Sequence, residues 1–218
     1  MEFLLRHSFL KSLFTILPSL LIFGNAFATN TSTGTNALAS LTTGSHNTAN
    51  GFESLYSNTS GSFNTASGYK SLFKNTTGSY NVGVGHESLN KNISGESNSA
   101  LGDQSLFSNT TGGSNVAIGT TSMYSNTTGV SNVAIGNDTM YSNTTGQGNT
   151  AVGRSSMNSN TTGDYNTAVG NNSMNKNTTG ENNTAVGSNS LNANTTGRNN
   201  VASGVSAMSS NTSGSWNT

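Results

Sequence analysis

From Leu41 to Ser210, polar and apolar residues recur with a period of 17, in ten complete units without insertion or deletion. Aligned from the asparagines at 58, 75, 92, 109, 126, 143, 160, 177, 194 and 211, the units read N-T-T-G-x-x-N-[TV]-A-[VI]-G-x-x-S-[LM]-x-x. Asn30 to Ser40 supplies the back of an earlier unit, and Asn211 to Thr218 the front of another. An unstructured chain loses nothing by adding a residue, whereas in a stack of coils a single slip misaligns every neighbour. The constant step therefore predicts an all-β, parallel solenoid with one coil per 17 residues. Two short strands are expected in each coil, one on Asn-Val-Ala-Ile (Asn115 to Ile118) and one on Ser-Met-Tyr (Ser122 to Tyr124).

Each position then has a reading. The fifteenth is always Leu or Met, and the core column it defines runs through Leu72, Leu89, Leu106, Met123, Met140, Met157, Met174 and Leu191. The tenth is mostly aliphatic, and Ile118, Ile135, Val152, Val169 and Val186 are assigned to the same core. The seventh is Asn throughout, which predicts an amide ladder along Asn81, Asn98, Asn115, Asn132, Asn149, Asn166 and Asn183. Glycine at the fourth and eleventh positions implies positive φ or close backbone approach at two corners per coil.

The ninth position bears on oligomerisation, because it is always Ala, Ser or Gly. Neighbours in a strand point to opposite faces. If the tenth position faces inward, the outward ninth is still kept small. If the ninth faces inward, a file of Val and Ile stands outside. Either way both faces of one strand are constrained, as in strands buried on two sides. That pattern predicts that further copies of the chain cover the outer face.

Composition narrows the function classes. Only 31% of residues are hydrophobic and 7% charged, with eight basic and eight acidic side chains. A compact enzyme domain with a thick core carries far more of both. The zero net charge leaves no electrostatic footprint for nucleic acid. Without cysteine there is neither a disulfide framework nor a thiolate metal site. Met1 to Ala28 reads as a secretory signal peptide, with Arg6 and Lys11, an apolar run from Leu13 to Phe23, and an A-x-A cleavage site at Ala26 and Ala28. The solenoid domain is then 29–218, exported, with no later segment apolar and long enough for membrane insertion by this chain.

No catalytic constellation, cofactor site or metal site emerges. His46 and His86 fall at different coil positions, and Gly83-Val84-Gly85 belongs to the repeat itself. The N-T-T-G segments are also N-glycosylation sequons, though turn chemistry accounts for them without glycans. Aromatic residues gather at the sixth position (Phe63, Tyr80, Tyr165, Trp216) and the sixteenth (Tyr56, Phe73, Phe107, Tyr124, Tyr141). They read as corner packing or, in the sharper alternative, as an aromatic surface strip for a ligand.

The segments Ser114 to Gly119, Ser131 to Gly136 and Asn166 to Gly170 resemble the head repeats of trimeric autotransporter adhesins, the YadA-like type. The resemblance covers residues 30 to 218, with a unit a few residues longer than usual owing to the N-T-T-G corner. It implies a left-handed parallel β-roll, a homotrimer, exposure on a bacterial cell surface or outer membrane, and attachment to host matrix or other surfaces without enzymatic activity. Similar repeats occur in phage tail-fibre-like proteins. An ice-binding solenoid is a further class, although the paired threonines offer only one outward file.

Overall fold

The computed structural model describes residues 29–218. The expected leader, with Ala26 and Ala28, lies outside the described residues. Eleven strands of three residues run from β1 (Thr31–Thr33) through β6 (Val116–Ile118) to β11 (Val201–Ser203), numbered in chain order. All pair in parallel as one sheet in that same order. Ala117 lies beside Ala100 on one side and Ala134 on the other, so every partner is one repeat away. The all-β parallel solenoid read from the period is the fold of the chain.

One strand forms per coil, not two. Ser-Met-Tyr and its equivalents are turns, because the thirteenth and fifteenth positions both take left-handed backbone angles: φ is 52° at Thr121 and 53° at Met123. Strand geometry needs φ near −120°. The turn still bonds coil to coil, since Met123 N–H donates to Thr139 O at 2.9 Å and Ser125 N–H to Tyr141 O at 3.0 Å. A run of leucines and methionines in the left-handed region is costly for L-residues. It is compensated by complete burial of the side chains from Leu55 to Leu191, contributing roughly 1.5–3 kcal/mol apiece.

The interior belongs to the ninth position, and this corrects the assignment of the tenth. Ala100, Ala117, Ala134, Ala151 and Ala168 are buried and pack with the Leu/Met column. Ile118, Ile135, Val169 and Val186 stand on the outer face, with Ile118 37% exposed, and Val152 is half-buried there. The coil is so thin that only a methyl group fits between its two sides. An aliphatic residue in the same strand must therefore alternate outward.

Polar side chains fill the rest of the interior. Asn132 donates from its backbone N–H and from Nδ2 to Asn115 Oδ1, at 3.0 and 3.1 Å, and Nδ2 also donates to Gly146 O at 2.8 Å. The same arrangement repeats at Asn98, Asn115, Asn149, Asn166 and Asn183, while Asn81 contributes its backbone bond to Asn64 Oδ1. A second ladder runs along the first position, where Asn126 Nδ2 donates to Asn109 Oδ1 at 2.8 Å and to Gly129 O at 3.2 Å. Among the described residues every buried side-chain nitrogen and oxygen has a partner. That matters because an unpaired buried polar group costs about 1–3 kcal/mol.

The two glycine files serve different needs. At the eleventh position φ lies in the positive range, as at Gly119 (129°). At the fourth position it does not; a Cβ on Gly112 would instead collide with Gly129 O and Asn109 Oδ1. Close stacking alone excludes a side chain there.

Candidate interaction surface

With its interior closed, the molecule meets its surroundings through columns of side chains, each repeating once per coil. On the strand side the eighth and tenth positions point outward, because alternate strand residues share a face. The sixth and twelfth, which carry the rings, are exposed at either end of the strand, beyond its extended residues. The tenth column forms an apolar strip, widened by valine in the eighth column at Val82, Val116 and Val133 and bordered in that column by Ser99, Thr150, Thr167 and Thr184 elsewhere. It runs from β4 (Val82–Val84) to β10 (Thr184–Val186) and includes Leu101 (49% exposed), Val116, Ile118, Val133, Ile135 and Val152. Toward the N-terminus the strip turns polar: the outward pairs are Thr48 with Asn50 and Thr65 with Ser67.

The flanks carry stacked rings. In the sixth column His46, Phe63 and Tyr80 stack at 4.8 and 5.0 Å between centroids, nearly parallel. In the twelfth, Phe52, Tyr69 and His86 stack at 5.4 and 5.3 Å. His86 Nδ1 then lies 2.8 Å from Asp103 Oδ1, extending the column by an ion pair when the ring is protonated. The two histidines sit on opposite flanks of the face. The sequence reading missed the twelfth-column rings, although the spacing of 52, 69 and 86 follows the 17-residue step.

The sixteenth-column aromatics are placed differently from an open strip. Tyr56 and Phe73 stack at 5.3 Å, and Phe107, Tyr124 and Tyr141 at 5.1 and 5.2 Å, all half-buried at a corner. Where Asn replaces the ring, its amide bonds the turn instead: Asn158 Nδ2 donates to Asp138 O at 2.9 Å and Asn175 Nδ2 to Ser155 O at 2.9 Å. Ring and amide thus do the same job of tying one coil to the last.

Charges cluster at the neighbouring corner. Lys70 Nζ lies 3.6 Å from Glu53 Oε2 and sits over the rings of Tyr69 and Phe73 at 5.2 and 5.4 Å. The Tyr69 hydroxyl, first, and the Glu53 carboxylate hold this ammonium above the ordinary lysine range. Among the described residues no three His, Asp or Glu side chains gather as a metal site, and no helix is long and apolar enough to cross a membrane.

The threonine and sequon files can be placed as well. Thr127 O accepts from the N–H groups of Thr110, Thr111 and Gly112, at 2.9, 3.2 and 3.3 Å, and from Thr110 Oγ1 at 3.0 Å. The second-position threonines therefore belong to the stack, and those of the third position face outward. The first-position sequon asparagines, such as Asn75 and Asn109, are buried with their amides engaged.

Searches against protein-family models, curated proteins and solved structures find no match. The surface itself must carry the functional reading.

Proposed function

We propose that this chain is a non-enzymatic, adhesin-like structural solenoid, exported and displayed on a cell surface or secreted, which acts as a homotrimer and attaches to host or other surfaces. One observation carries the reading: an aliphatic strip on the outer face of a protein whose interior polar groups are all paired. Covering each half-exposed Val, Leu or Ile of the strip contributes about 1 kcal/mol. A file of such residues on rigid strands offers further copies a flat, continuous contact. The motif resemblance to YadA-like head repeats and the leader-like Met1 to Ala28 support the same reading.

Attachment would use the columns left outside the trimer. The fifth and seventeenth positions vary from coil to coil and include Glu96, Lys91 and Lys176, beside a third column that is Thr or Ser throughout. Such a surface grips through many weak contacts along its length instead of one pocket. Repeated contacts raise avidity as long as the target presents them at a matching spacing. The test is a binding assay of the purified trimer against extracellular-matrix proteins, glass and polystyrene. Retention above that of an unrelated solenoid on any of these supports adhesion, and none on all three contradicts it.

A further inference from the structure

The apolar strip and the ringed flanks of the outer face complement each other along the chain. In the coils of Thr48 and Thr65 the middle columns are polar, and in those coils both flanks carry rings: His46 with Phe52, and Phe63 with Tyr69. The coil of β4 has both, since Tyr80 and His86 flank Val82 and Val84. From Glu96 to Val205 the middle is mainly aliphatic, and Tyr165 is the single ring on either flank. In the three adjoining coils of Thr48, Thr65 and β4 rings stand on both flanks at once, although β3 (Thr65–Ser67) and its equivalents lie between them; Tyr165 faces Asn171 and has no such counterpart.

Cyclic symmetry supplies a reason for the pairing. A ring of three copies joins by a heterologous contact, in which one patch of each copy meets a different patch of the next. With the axis along the solenoid, equivalent coils lie at one height. The sixth column of each copy then faces the twelfth column of its neighbour, coil for coil. We propose that His46, Phe63 and Tyr80 of one copy pack against Phe52, Tyr69 and His86 of the next, closing the N-terminal end of the trimer with an aromatic seam. The rings are held for this role: stacking within each column fixes their planes and leaves their edges outward, with Tyr80 59% exposed. Edge contacts between aromatic rings are favourable. The seam covers the coils of Thr48 and Thr65, next to the end of the aliphatic strip, and overlaps that strip at β4.

The inference rests on the trimeric reading, and one experiment separates the two. The exported chain has no cysteine, so Phe63→Cys and Tyr69→Cys can be introduced together and singly. Both sites tolerate small side chains, since the repeat carries Ser97 and Thr120 at the same positions. Within one chain β3 stands between them, and its three residues at about 3.3 Å each already span about 10 Å, beyond the Cα separation a disulfide allows. After mild oxidation, the double variant is expected to run as covalently linked chains, up to a closed ring of three, on a denaturing gel. Each single variant is expected to run as one chain. A solution mass of three chains without cross-linking overturns the seam and leaves the trimer standing. A mass of one chain overturns both. Circular dichroism on each sample reports folding, and should the double cysteine variant not fold, Phe63→Ser with Tyr69→Ser takes its place. That pair is then expected to lower the trimer's dissociation temperature by less than the sum of its single substitutions. Additive effects overturn the seam.

Discussion

At the scale of single residues, side chains and glycines are chosen for contact with the next coil. Gly112 and Gly113 are sequence neighbours with opposite tolerance. A methyl group at 112 would strike Gly129 O, while one at 113 would meet Glu96 O at 3.0 Å, in a column that holds Val130 one coil later. Gly112→Ala is expected to destabilise by several kcal/mol, in the range of severe core strain, and Gly113→Ala by about 1 kcal/mol or less; urea unfolding followed by circular dichroism measures both. Asn115→Leu leaves Asn132 N–H without its acceptor, so a loss of about 1–3 kcal/mol is expected in the same assay.

Residue chemistry explains what could be read in the sequence and what could not. The asparagine ladder and the Leu/Met column were legible because every unit repeats the same side chain in the same place. The tenth position was misassigned because an aliphatic residue is selected whether it faces a core or an outward apolar strip. Only the methyl-sized gap at Ala117 decides between them. The left-handed backbone at Met123 was hidden, since methionine gives no sign of positive φ in the way glycine does.

At the scale of the element, a coil is a unit that cannot stand alone. β6 has three residues and no hydrophobic interior until its neighbours supply one. Stability must then be a sum over coils and their contacts. Removal of residues 126–142, one whole period, is expected to leave a folded solenoid one coil shorter, with the same circular dichroism per residue. Removal of Ser125 alone shifts Asn126 and every later ladder residue out of register with the coils before them, and is expected to abolish cooperative unfolding. Equal behaviour of the two deletions would contradict a phase-locked stack.

At the scale of the whole molecule, the two faces of each strand answer different demands, and adjacent substitutions should separate them. Ala117→Leu forces a large side chain into the coil and is expected to lose β structure. Ile118→Asp leaves the coil intact and places a carboxylate on the outer strip. Overpacking typically costs 1–3 kcal/mol or more, whereas the outward charge acts on assembly. Whether copies of the chain cover the outer strip is tested most directly by the solution mass of residues 29–218 in light scattering, with and without Ile118→Asp. Three chains are expected for the parent and one folded chain for the variant. A parent that is folded and monomeric would contradict this expectation, because the outer strip of Val82 to Val186 would then be exposed in solution.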